Sequence, residues 1–335
     1  MKPIKISIVI PNYNCASLIE RCLDSVFDQI GNFDLEVVLI DDGSTDNSLE
    51  LLKSYSKQLI VLEQKNQGPA AARNAGIEIA TGKYLAFLDA DDYWESTFLQ
   101  ETVSFLEENE NAIAVSVGQV HKIPGKPNTI SPNILSSKLN KFKTSIIINN
   151  FYSFWVKNNH VCTGSVLTLT EIAKATGGQR TDLRITEDIE FWLYLATFGD
   201  WGFIPKVLIT TDGGLSVKAN GYYKKNLKRW RNAPTIEYWE KRILSRIDKE
   251  LYTDYKLARG KVAKMMVYSF IQSFRIKLAR STVKKYIKLF PPGKDKKLYE
   301  ICNKFGYPAW ITISMILVAR ELIKSLRYIH FRHIK

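Results

Sequence analysis

Cysteine is scarce in this chain. Cys15, Cys22, Cys162 and Cys302 form no C-x-x-C pair and accompany no His-rich cluster, so neither a zinc site nor a disulfide framework is indicated. A reducing compartment suits that usage. Glycine-rich phosphate loops are missing too: no G-x-G-x-x-G follows the first apolar run, which argues against a dinucleotide-dependent dehydrogenase. Long apolar runs are absent as well. Ile6 to Ile10 is too short for a signal-peptide core and stops at Pro11, so it reads as a strand. Tyr307 to Ala319 gives about 13 weakly polar residues against the roughly 20 of a spanning helix, and Thr312 and Ser314 interrupt it, so no transmembrane span is expected.

Acidic residues are scarce only in the back of the chain. Of the net charge of +13, residues 213–335 contribute +21, with 29 Lys and Arg against 8 Asp and Glu, while the rest contributes −8. An acidic front and a basic back suggest different tasks, and contact with an anionic surface falls to the back.

The front alternates β-branched runs with helical patterns, the pattern of parallel strands joined by crossover helices. Strands are expected at Ile6–Ile10, Leu35–Ile40, Leu59–Glu63 and Tyr84–Leu88, with helices at Ser17–Gln29, Asn47–Lys57 and Pro69–Ala80. Three of these strands end in polar clusters: Pro11-Asn12-Tyr13-Asn14, Asp41-Asp42-Gly43-Ser44 and Asp89-Ala90-Asp91-Asp92. Ligands of open α/β sheets bind outside the carboxyl ends of the strands, so these clusters should converge. From Ala112 to Ser145 the pattern loosens into a loop-rich insertion with Pro124, Pro127 and Pro132. Helical periodicity returns at Thr186–Phe198, a strand is expected at Phe203–Ile209, and beyond Gly221 the chain reads as basic and helical.

Asp89 and Asp91 follow an apolar strand, where burial makes carboxylates costly unless a cation accompanies them. Mg²⁺ and Mn²⁺ are commonly held by one or two carboxylates together with phosphate oxygens. A solvated turn or helix cap would account for an isolated D-x-D equally well. Glu187 and Asp188 stand at the start of an amphipathic helix, where acidic residues also suit the helix dipole.

Ser7–Asn14, Val38–Asp46, Asn66–Asn74 and Phe87–Trp94, in this order, closely resemble family 2 of the inverting glycosyltransferases. The resemblance is detailed over about residues 5 to 100 and looser to about 215. It implies the GT-A fold: an α/β, Rossmann-like, mostly parallel sheet flanked by helices. The domain layout expected is a GT-A catalytic domain at 1–215, with nucleotide-sugar binding over about 1–110 and the acceptor side over about 111–215. A basic helical C-terminal region at 216–335 follows, with possible membrane association.

The resemblance also implies a nucleotide-diphospho-sugar donor, usually UDP-linked, and Mn²⁺ or Mg²⁺. Matched motif by motif, Pro11 and Tyr13 border the nucleobase and Asp42 accepts from its ring N–H. Arg73 lies near the base or diphosphate, Asp89 near the ribose, and Asp91 ligates the metal. Asp188 corresponds to the catalytic base, with Glu187 supporting it. Blander roles exist for Pro11 as a strand end, Asp41 in the turn at Gly43, Asp46 as an N-cap and Arg73 as a surface helix residue.

Asn226-Leu227-Lys228-Arg229-Trp230 resembles the Q-x-x-R-W motif of processive members but departs at its first residue, which argues against processive polymerisation. The expected function is hexosyl or N-acetylhexosaminyl transfer to a glycan or lipid-linked acceptor in surface polysaccharide, lipopolysaccharide or glycoconjugate synthesis. The expected location is cytoplasmic, peripheral on an anionic inner membrane face. A sugar nucleotidyltransferase and a non-enzymatic nucleic-acid-binding protein are the alternatives. The first lacks its Gly-rich N-terminal loop, and the second leaves the acidic strand-end clusters without a purpose.

Overall fold

A computed structural model describes residues 2–122, 127–135, 143–212 and 222–330, and the chain divides into two compact units. The first comprises residues 1–181 and 187–216, the second residues 182–186 and 217–335.

The first unit is built on one mixed sheet. Its strands are β1 (Ile4–Asn12), β2 (Phe33–Asp41), β3 (Ile60–Glu63), β4 (Tyr84–Phe87), β5 (Tyr93–Trp94), β6 (Ala112–His121), β7 (Thr129–Ser131), β8 (Ile146–Ile148), β9 (Val166–Leu169) and β10 (Asp200–Thr211). The order is β3-β2-β1-β4-β9-β6-β10-β5, with β7 on β6 and β8 on β10. Strands β3, β2, β1 and β4 run parallel, whereas β9 lies antiparallel between β4 and β6. The helices are α1 (Ile19–Phe27), α2 (Ser48–Ser54), α3 (Pro69–Ile79), α4 (Phe98–Glu108), α5 (Phe151–Asn158), α6 (Thr170–Ala175) and α7 (Glu187–Leu195).

Strand β1 forms where it does because Ile6, Ile8, Val9 and Ile10 are buried on both faces of a central parallel strand, which favours an unbroken β-branched run over alternation. Helix α3 closes onto it. A Cβ on Gly76 would lie 2.2 Å from Val9 Cγ1, so only glycine allows this approach.

The loop-rich reading of Ala112–Ser145 is corrected at its front. Ala112–His121 is a ten-residue strand, β6, buried over its first eight positions. Pairing with β9 and β10 imposes the strand although Ala114, Ser116 and Gly118 are poor strand formers. Pro124 and part of the remaining segment fall outside the described residues.

The second unit is helical: α8 (Tyr222–Arg231), α9 (Ile236–Trp239), α10 (Lys241–Leu244), α11 (Lys249–Gln272), α12 (Ile276–Tyr286) and α13 (Lys294–His330). Its core gathers Trp239, Tyr255, Met266, Phe270, Val283 and Trp310, all at most 1% exposed. Arg259 lies in an ion pair with Glu240 at 2.6 Å. In the segment resembling Q-x-x-R-W, Arg229 Nε donates to the Arg184 carbonyl at 3.0 Å and Trp230 meets Tyr268 edge-on at 6.0 Å, so both side chains have structural partners.

The apolar stretch Tyr307–Ala319 is by itself too short to span a bilayer, but the helix that contains it is longer. By length and composition, Lys294–Ile323 within α13 is long and apolar enough to cross a membrane. Arg320 and Glu321 end the apolar run in the sequence but do not end the helix.

Candidate active site

The carboxyl ends of β1 and β2 meet in a hydrogen-bonded cluster. Register pairs Pro11 with Ile40 and Asn12 with Asp41. Asp41 serves the turn: it accepts from Ser44 N at 2.9 Å, Ser44 Oγ at 2.5 Å and Asn12 Nδ2 at 2.7 Å. Asp42, 4% exposed, faces the other way. Its carboxylate accepts from Gln67 N at 2.8 Å, Gly68 N at 2.8 Å and Gln64 Nε2 at 2.7 Å. Gly43 at φ 73° and Gly68 at φ 95° give the backbone the left-handed turns that aim these groups. A carboxylate offers about four lone-pair sites, so these donors leave Asp42 roughly one for a ligand. Tyr13 stands 40% exposed beside the cluster, and Pro11 is half-buried.

The third cluster follows β4, where Leu88 N donates to the Val9 carbonyl at 3.1 Å and so carries the chain past β1. Arg73, on α3, is no surface residue. It is 5% exposed, and its Nη2 donates to Asp89 Oδ1 at 2.6 Å while Nη1 reaches Gln179 Oε1 at 3.3 Å. Asn74 and Gln179 hold each other through two further bonds, Asn74 Nδ2 to Gln179 O at 2.8 Å and Gln179 N to Asn74 Oδ1 at 2.7 Å. Burial works against the Arg73 charge, and the carboxylates of Asp89, Asp188 and Glu187 overcome it, leaving the guanidinium pKa above its ordinary value. The Asp-rich loop and the start of α7 therefore share one electrostatic neighbourhood.

Helix α7 reaches that place by packing on β4. Phe87 contacts Phe191 at 6.1 Å and Trp192 at 5.9 Å, both edge-on. Thr186, at φ 56°, turns the chain into the helix. Glu187 is 7% exposed, and Asp188 is more open.

Asp91 is held differently. Burial first, then the charges of Asp89 and Asp212, push its carboxyl up to about 6. Asp92 is pushed up as well, by burial and then by Asp89 and Asp91. Arg21 counters this charge from α1: its Nη2 donates to the Asp91 carbonyl at 2.9 Å and pairs with Asp212 Oδ2 at 2.6 Å. The Arg21 guanidinium lies 4.6 Å from the Tyr93 ring centroid, and Lys122 Nζ donates to the Tyr93 hydroxyl at 2.5 Å.

Among the described residues, no three or more His, Cys, Asp or Glu side chains are grouped to hold a metal by themselves. The donor set that is present still fits Mg²⁺ or Mn²⁺. It offers hard oxygen atoms on crowded carboxylates that Arg21 and Arg73 compensate only in part, and such ions take one or two carboxylates and complete their shell with phosphate oxygen and water.

Residues 7–166 match the model of glycosyl transferase family 2. Over this segment the chain is similar to family 2 glycosyltransferase domains. The segment includes Asp42, Arg73, Asp89 and Asp91, while Glu187 and Asp188 lie beyond it. A poly(ribitol-phosphate) beta-glucosyltransferase of Bacillus spizizenii is 42% identical over 128 residues, covering 36% of this chain and 20% of that protein. The chain thus spans about a fifth of that relative's length. In fold, the chain resembles Staphylococcus aureus TarS 1–349 in complex with UDP-GlcNAc, with a TM-score of 0.64 at 17% identity over 96% of this chain and 92% of the other. It also resembles the mannosyltransferase PcManGT of Pyrobaculum calidifontis in complex with GDP-Man and Mn²⁺, with a TM-score of 0.54 at 19% identity over 97% and 87%. The GT-A architecture expected from the family motifs is the architecture found.

Structure adds Arg21, Gln179 and Asp212, which lie outside the matched motifs, and gives partners to Asn74 and Asp92, which lie inside them without an assigned role. Arg21 had no signal, being one basic residue on an amphipathic helix. Gln179 follows Gly177-Gly178, a turn signal that marks a loop but not its partner.

Proposed function

We propose that this chain is an inverting glycosyltransferase that moves a hexosyl or N-acetylhexosaminyl group from a UDP-sugar to a hydroxyl of a glycan or lipid-linked acceptor. The observation that carries the reading is the buried Arg73–Asp89 pair, whose guanidinium also feels Asp188 and Glu187. It draws the donor-side loop and the carboxylates of α7 to one place, as a single displacement requires.

In this reading Pro11 and Tyr13 border the base, and Asp42 uses its remaining acceptor site for a ring N–H. Asp89, with one oxygen engaged by Arg73, offers the other to the ribose. Asp188 takes the proton of the acceptor hydroxyl as that oxygen forms its bond to the anomeric carbon. The bond to the diphosphate oxygen breaks on the opposite face, and the electron pair leaves with the nucleoside diphosphate. The transition state has oxocarbenium character. Asp91 would hold Mn²⁺ or Mg²⁺, whose chemistry is to stabilise negative charge on the departing diphosphate. Glu187, more deeply buried, sustains the field around Asp188 and Arg73. The UDP-GlcNAc, GDP-Man and Mn²⁺ complexes of the fold neighbours support the donor class and the metal. The polymer-directed name of the Bacillus relative supports a role in polysaccharide synthesis; lipopolysaccharide or a related glycoconjugate as product, and a cytoplasmic location, belong to the proposal alone.

The test is a panel of nucleotide sugars with Mn²⁺ or Mg²⁺, reading nucleoside diphosphate release and product anomeric configuration by NMR. Asp188→Asn should keep donor binding and lose transfer by a factor on the order of 10³. Retained configuration, or near-native turnover in that variant, would overturn the assignment.

A further inference from the structure

In the second unit, α13 carries its apolar residues outward. The helix breaks at Gly306, at φ 76° and ψ −157°, and then continues from Tyr307. Beyond the break, Trp310, Ser314 and Val318 recur every four residues and are buried, at 0%, 0% and 8% exposure. Trp310 stacks on Tyr299 at 5.8 Å, and Ser314 Oγ donates back to the Trp310 carbonyl at 2.7 Å. Among the described residues beyond the break, this narrow stripe is what the helix buries deeply.

Much of the remaining circumference is apolar and exposed. Tyr307, Ile311, Met315, Ile316 and Ile323 are 41%, 41%, 60%, 56% and 52% exposed, and Phe305, just before the break, is 67% exposed. At about 100° per residue these positions beyond the break fan over roughly half the circumference of the helix. An ordinary surface helix is arranged the other way, with the apolar stripe inward and charge outward. A continuous exposed apolar face of this kind marks a contact surface. Trp310 belongs to the inward stripe.

The charge around that face selects its partner. Residues 213–335 carry +21, and Lys304 and Arg320, both exposed on α13, stand at either end of the apolar run. Arg280 of α12 lies 5.3 Å from the Tyr307 ring centroid. Pairing two copies across this face would bring two such basic units together, whereas an anionic bilayer compensates them. A crossing helix would need lipid on all sides, but Trp310, Ser314 and Val318 are committed to the protein. We propose that the outward face of α13 seats this unit in the interface of an anionic lipid membrane, lying in its plane without crossing it. Apolar side chains enter the acyl boundary while Lys304 and Arg320 stay at headgroup level. This proposal is independent of the transferase reading: vesicle partition tests the one, donor turnover the other.

The experiment is sedimentation of the 335-residue chain with vesicles of phosphatidylcholine alone or with phosphatidylglycerol. Binding is expected to the anionic vesicles and to weaken at high salt. The double variant Met315→Glu/Ile316→Glu alters only exposed positions, and circular dichroism checks that it folds. It should lose vesicle binding by about tenfold or more while nucleoside diphosphate release with a soluble acceptor stays unchanged. In Met315→Trp, fluorescence from the added indole should shift to the blue with anionic vesicles. Equal partition to neutral vesicles, native-like binding by the double variant, or resistance of the bound chain to alkaline extraction would overturn the proposal. So would self-association without lipid that the double variant abolishes.

Discussion

Arg21 pairs with Asp212 at 2.6 Å, and the same guanidinium nitrogen donates to the Asp91 carbonyl at 2.9 Å. A residue of the first helix thereby fixes the backbone of the proposed metal ligand to the chain end leaving β10. Arg21→Ala should raise the metal concentration needed for half-maximal activity by roughly tenfold, the range typical when support behind a ligand is removed. A Mn²⁺ titration of nucleoside diphosphate release measures this, and an unchanged midpoint would show that Arg21 plays no part in metal affinity.

Asp91 destabilises the metal-free protein. Its folded pKa of about 6 lies above the ordinary 3.8, so the folded state binds the proton more tightly, and stability is lost as pH rises from about 4 to about 6. Asp91→Asn removes that charge. The variant, without metal at pH 7, should be more stable by about 1–3 kcal/mol, and the difference should vanish near pH 4. Melting curves with and without Mn²⁺ check this. The variant should also lose most of the metal-induced rise in Tm, together with transfer.

Glu36 works in the opposite sense. Burial opposes its charge, and bonds from Ser7, Thr81 and Lys5 overcome that, bringing the carboxyl down to about 2. A lowered pKa gives stability that is fully present above the ordinary 4.5 and is lost as pH falls toward 2. Glu36→Gln should cost about 1–3 kcal/mol at neutral pH. Chemical denaturation at pH 7 and pH 3 should show the gap between variant and native protein narrowing.

Gln179→Leu keeps the side chain's bulk and removes the oxygen that accepts from Arg73. The loss of one such bond, about 1 kcal/mol, should raise the donor KM by about fivefold and leave kcat nearly unchanged. Gln179→Glu, which restores an acceptor, should recover most of the affinity. A fall in kcat at constant KM would place Gln179 in the chemical step instead.

These residues mark the boundary of what the sequence makes legible. The end of β1 was readable because a β-branched run stops near Pro11, whereas Asp89 and Asp91 stood out only through the family motifs around them, an isolated D-x-D fitting a solvated turn equally well. Strand β6 was not readable: its Ala, Ser and Gly residues are extended only because β9 and β10 flank them. Gln179 lies 106 residues from Arg73, and local pattern does not encode a pairing at that separation. The outward apolar face of α13 was half-readable. Composition revealed its residues, but only packing shows which of them Trp310 draws inward.

The Asp-rich loop is tied at both ends. Leu88 N holds it to β1, and four residues later Asp92 Oδ1 accepts from Asp212 N at 3.1 Å, just before β5 pairs with β10. The segment from 88 to 94 is thus a short bridge between the nucleotide side of the sheet and its far edge. Slippage of β10 by a fraction of an ångström would be felt at Asp91 with little slack to absorb it. If Asp91 holds the cation as proposed, substitutions along that distant strand would be remote adjusters of its affinity, a lever on the reaction that touches neither sugar nor nucleotide.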